Sequence, residues 1–136
     1  MLPFVLHNHM HGPAYGAQKA GIDKLAADMA VDLQPTGVAV VSIWMGILLT
    51  EKLRRAFDGN PGALAETAKQ AETPEFTGHL INALYHDPGV GELSGQTLIG
   101  AELATRYGIT DEDGRTPPSH REFLGAPRVP SAVVVR

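Results

Sequence analysis

The chain of 136 residues contains no cysteine. Disulfide staples and thiol chemistry are therefore excluded, and the absence fits a reducing compartment. Basic charge is also scarce: 11 Lys and Arg stand against 15 Asp and Glu, for a formal net charge of −4. A nucleic-acid partner, which needs a basic patch, is not expected. No apolar run reaches the roughly 18 residues that cross a bilayer, so no membrane span is expected. The start, "MLPFVLHNHMHG", lacks the basic region and small-residue cleavage site of a signal peptide. A cytoplasmic protein is the expectation. What is present, 43% hydrophobic and 19% charged residues with 15 Gly and 10 Pro, describes one globular domain with a modest core.

Gly12-Pro13 opens a helix, because proline is pre-set for the first helical position. Ile22, Leu25, Ala26, Met29 and Leu33 repeat at three- and four-residue steps and predict one buried face. Pro35 and Gly37 end it. "VAVVSIW" (Val38 to Trp44) is a continuous, β-branched run suited to a strand covered on both faces of a parallel sheet. Thr50 to Phe57 reads as helical up to "DGNPG", and Ala63 to Ala71 has uncertain helicity. Thr73-Pro74 caps a helix with Phe76, Leu80, Ile81 and Leu84 on its apolar face. "SGQTLIG" predicts a short strand near Thr97 to Ile99, and Ala101 to Tyr107 a short helix stopped by Gly108. A helical crossover between the two strands predicts that they are parallel. The domain organisation expected is a tail over 1–13, an α/β body over 14–110 and an irregular tail over 111–136. Two strands do not make a stable sheet alone, so the chain reads as the second half of something larger.

"GPAYGAQKAG" places Tyr15 four residues before Lys19 at the head of the first helix. Four residues advance roughly 6 Å and overshoot a full turn by about 40°, so the two side chains share a face. A phenol next to a fixed ammonium is a device for general acid/base work on a substrate oxygen. Taken alone, such a pair is structural in about nine cases of ten.

Its context changes that weight. "YGAQKAGIDKLAADMAVDLQPTGVAVVSIWMGILLTEKL" resembles the C-terminal core of the short-chain dehydrogenase/reductase family. There an active-site Tyr-x-x-x-Lys opens a long helix, and a Gly-bearing turn leads to a buried strand. The strand ends in a Pro-Gly-x-x-x-Thr-like element over the nicotinamide. "TPEFTG" and "LSGQTLIGAELATRYGITDEDGR" are similar to the dehydrogenase/reductase member 1-like branch of that family. The resemblance spans roughly Ala14 to Arg115.

The fold this implies is α/β: a partial, Rossmann-like three-layer domain, the C-terminal half of a doubly wound parallel sheet without its nucleotide-binding half. The resemblance implies hydride transfer between NAD or NADP and a carbonyl or alcohol substrate. Tyr15 would exchange the proton at the substrate oxygen, and Lys19 would hydrogen-bond the nicotinamide ribose. Gly46, Leu48 and Thr50 would hold the nicotinamide carboxamide and the neighbouring phosphate.

Three departures run against a working enzyme in this chain alone. No Gly-x-x-x-Gly-x-Gly occurs, so the pyrophosphate has no loop to cradle it. The family's serine, about a dozen residues before the tyrosine, falls on Leu2 and Pro3, and no Ser or Thr precedes Thr36. Met45 stands where proline is expected before Gly46, which removes a fixed φ. The chain is accordingly expected to be truncated and inactive alone, and to form a homo-oligomer or need its missing half. The alternative is a non-catalytic remnant serving as an interaction module.

Weaker signals are read as structural. His7, His9 and His11 alternate as metal ligands on a strand would, but no fourth ligand is in view and no metal is expected. "DEDG" (Asp111 to Gly114) is read as a solvated turn, Asp23 and Lys24 as a solvated face, and Trp44 as core.

Overall fold

The computed structural model describes residues 12–133. Helix α1 (Pro13–Leu33) starts at Gly12, whose φ of 79° suits only glycine, and continues from Pro13 at its first position. It passes into a 3₁₀ turn (Gln34–Thr36) that Gly37 closes in the left-handed conformation. There follow β1 (Ser42–Trp44), α2 (Glu51–Ala56), α3 (Pro61–Ala68), α4 (Pro74–His86), a 3₁₀ turn (Val90–Leu93), β2 (Thr97–Ile99), α5 (Gly100–Tyr107) and α6 (Arg121–Leu124). The strands form a two-stranded parallel sheet, so the fold class is α/β, in keeping with part of a Rossmann-like domain. Among the described residues two compact units share the chain, one from residues 12–44, 87–98 and 120–133, the other from 45–86 and 99–119.

In the first unit, α1 approaches β1 and the turn before β2 with its small residues. Gly95, at φ 82°, lies so close that a Cβ there would stand 3.3 Å from the Cβ of Ala30. Asp23, Ala26, Ala27 and Ala30 form this contact side at the three- and four-residue spacing of one face. The expected buried face is therefore corrected: Ala26 is buried, but Ile22, Leu25 and Met29 are exposed, Leu25 at 57%. Close packing at Gly95 requires small side chains, and the larger apolar ones turn aside. The strand is also shorter than the Val38 to Trp44 run. The Val40 N–H donates to the Ser94 hydroxyl at 3.1 Å in place of a main-chain partner, and pairing as a strand is confined to Ser42–Trp44. Val38 is exposed.

In the second unit, the starts of α2, α3 and α4 follow from their caps. The Thr50 hydroxyl accepts from Leu53 N at 3.2 Å, Asn60 Oδ1 from Ala63 N at 3.1 Å, and the Thr73 hydroxyl from Phe76 N at 3.2 Å. α4 buries Phe76, Leu80 and Leu84. Ile81 does not belong to that face: it is 56% exposed, because it sits roughly 100° round the helix from Leu80. α5 packs beside α4 through Gly100, where an added Cβ would come within 3.0 Å of Met45 Sδ and 3.2 Å of Leu80 Cδ1. In the first unit, the one-turn helix α6 lies in the segment expected to be irregular; four residues are too few to show a period. His120, at its start, is buried, which pushes its imidazole pKa down.

Candidate functional site

Tyr15 and Lys19 stand in the first turns of α1, and the four-residue step brings them together. Lys19 Nζ lies 5.4 Å from the centroid of the Tyr15 ring, within cation–π range. Tyr15 is 43% exposed. One more four-residue step along this row is Asp23. Its carboxylate accepts from the Ser42 hydroxyl at 2.7 Å and from the Trp44 indole N–H at 3.0 and 3.1 Å. Asp23 is thus no solvated residue, a correction to the sequence reading, whereas Lys24 is exposed and pairs with Asp28. The cause is its register: it falls on the side of α1 that meets β1, where two side-chain donors need an acceptor.

Gly46, Leu48 and Thr50 lie together on one segment in the second unit. Thr50 N donates to Leu48 O at 2.7 Å, and the Thr50 hydroxyl caps α2. The segment is bound along its length to Glu72. Gly46 N donates to Glu72 Oε1 at 2.5 Å, Glu72 N donates to Ile47 O at 2.9 Å, and Leu49 N donates to Glu72 O at 2.9 Å. Leu48 and Glu72 form an isolated parallel bridge.

Glu72 is only 1% exposed. Burial pushes its carboxyl up to about 7; the Gly46 N–H opposes that shift and the nearby Asp111 charge adds to it. Asp111 is itself buried. It accepts from Thr73 N at 2.8 Å, from the Thr73 hydroxyl at 2.5 Å and from Glu112 N at 2.8 Å. The solvated-turn reading of Asp111 to Gly114 is therefore corrected at its first residue, which is an internal anchor for the α4 cap. Asp113, exposed in the same turn, is held below the ordinary carboxylate range by its hydrogen bonds from Arg115.

Asp23, Glu72 and Asp111 are the polar residues that sequence reasoning missed as partners. Their contacts lie 19 to 21, 26 and 38 residues away, beyond any local motif. The His7, His9 and His11 reading falls outside the described residues, as do Leu2 and Pro3. Among the described residues no group of three or more potential metal ligands occurs, and no helix is long and apolar enough to cross a membrane.

Comparison with known proteins bears on the same stretch. The family model described as short chain dehydrogenase matches residues 6–61, which include Tyr15, Lys19, Gly46, Leu48 and Thr50. Dehydrogenase/reductase SDR family member 1 of Mus musculus is 40% identical over 114 residues, covering 79% of this chain and 36% of the relative. The protein of the same name from Homo sapiens is 41% identical over 114 residues, with the same coverage. The chain thus spans about a third of the length of these relatives. On the pair, the parallel α/β order and these matches together, the chain belongs to the short-chain dehydrogenase/reductase family.

Proposed function

We propose that this chain carries the proton-transfer pair and the nicotinamide-holding segment of an oxidoreductase acting between NAD or NADP and a small carbonyl or alcohol. The supporting observation is the Tyr15–Lys19 contact at the head of a helix lying within the family match. Tyr15 donates a proton to the carbonyl oxygen in reduction and takes it back in oxidation. Lys19 sets a positive charge beside the phenol and reaches the nicotinamide ribose. Main-chain groups at Gly46 and Leu48, with Thr50, hold the carboxamide end. NAD or NADP, when bound, accepts or supplies the hydride.

The residues present fit the nicotinamide end of such a cofactor, since the segment over 46–50 is fixed in place by Glu72. They do not fit the pyrophosphate end, for which the sequence has no Gly-rich loop. A second reading, an interaction module without catalysis, draws on the exposed Ile22, Leu25 and Met29 of α1. In either case association with a second copy, or with the complementary part of the fold, follows.

The test joins the chain to an N-terminal segment carrying a Gly-rich loop and a serine, then follows NADPH oxidation by carbonyl compounds. Reduction should appear, and Tyr15→Phe should lower it by at least about 100-fold. Reduction that survives the substitution refutes the role of Tyr15. Its absence from the joined protein supports the module.

A further inference from the structure

We infer that Glu72 is the positioning residue of the segment over 46–50, clasping it from the side chain and the main chain at once. The main-chain pair is that of a parallel bridge to Leu48, and the side chain adds a third bond to the same segment. Its carboxylate takes the Gly46 N–H, its own N–H takes the Ile47 carbonyl, and its carbonyl takes the Leu49 N–H. Three ties, at Gly46, Ile47 and Leu49, fix the direction of the main chain along this stretch. Met45, before Gly46, has no ring to hold φ, so the turn depends on hydrogen bonds for its shape.

A buried carboxylate with no internal role is costly, and an apolar residue would fill the place better. Glu72 is buried and directed at a main-chain donor of the segment proposed to hold the nicotinamide. The ionisable group acting on it is Asp111, on the turn after α5. The Arg115 guanidinium donates to the carbonyls of Ala68, Lys69 and Ala71, just ahead of Glu72. With burial and Asp111 raising its pKa to about 7, the clasp changes charge in the neutral range. An ionised carboxylate grips the Gly46 N–H more strongly than a neutral one does. The functional consequence of the clasp rests on reading this segment as the nicotinamide holder; the clasp itself does not.

Amide resonances of the isotope-labelled full chain test it. From about pH 5 to about pH 9 the Gly46 amide proton should titrate with a midpoint near the value for Glu72. In Glu72→Gln, which keeps the acceptor and loses the charge, that titration should vanish. In Glu72→Ala the Gly46 amide should exchange about tenfold faster, while Leu80 and Ala104 keep their protection. A Gly46 amide that does not titrate, or titrates unchanged in Glu72→Gln, overturns the inference. Should Glu72→Ala fail to fold, the other two titrations decide. Adding NADPH to the chain joined to a segment with a Gly-rich loop separates the two ideas: unmoved amides over 46–50 beside an intact Gly46 titration sink the cofactor reading and leave the clasp standing.

Discussion

At Glu72 the sign of the pH dependence follows from burial. An ordinary carboxyl titrates near 4.5, and this one near 7 in the folded chain. Between those values the native state keeps a proton that the unfolded chain has released. Stability is therefore fully present below about 4.5 and falls as pH rises through about 7, by up to roughly 3 kcal/mol. Glu72→Gln removes that loss. Chemical denaturation should show the variant more stable than the parent by about 1–3 kcal/mol at about pH 8, and nearly equal to it at about pH 5. His120, whose pKa is lowered by burial, works in the opposite direction, but it is present in both proteins and cancels in the comparison. A difference between variant and parent that stays flat across this range contradicts the buried-carboxylate account. None of this was legible in the sequence, where Glu72 is one of 15 acidic residues and Gly46 lies 26 positions away. Tyr15 and Lys19 were legible because a four-residue step is a local, helix-determined distance.

Among the elements, the starts and stops read well and the faces less so. Thr50, Thr73 and Gly108 end or begin helices where the sequence placed them, since caps act within three or four residues. The covered side of α1 was misjudged. Periodicity marks an apolar face, but the packing partner selects the side, and here the close approach at Gly95 selects alanines. Ile22, Leu25 and Met29 are left as an exposed apolar row one to two turns long. Such a row favours association. In size-exclusion chromatography the chain should elute above its 14.5 kDa monomer mass in a concentration-dependent way, and Leu25→Lys should shift it toward the monomer. A monomer at every concentration would count against the row as a contact surface. The Val38 to Trp44 run was over-read for a similar reason: β-branched residues make a strand possible, but available partners set its length.

Across the whole molecule, the buried apolar residues are unevenly divided. Phe76, Leu80, Leu84, Ala101, Leu103 and Ala104 belong to the second unit, while the first buries Ala26 and Leu93. The parallel α/β order was legible from the helical crossover between two apolar runs, and the family from the order and spacing of its motifs. The division into two units was not, because it depends on which distant segments meet. The relatives are about three times as long as the stretch they share with this chain. The central proposal is that the chain carries the proton-transfer pair and the nicotinamide segment without a Gly-rich loop for the pyrophosphate. Fluorescence titration with NADPH tests it most directly. The chain by itself should show no saturation at micromolar cofactor, and joining it to a segment with a Gly-rich loop should produce saturation. Saturable micromolar binding by the chain alone would contradict the claim.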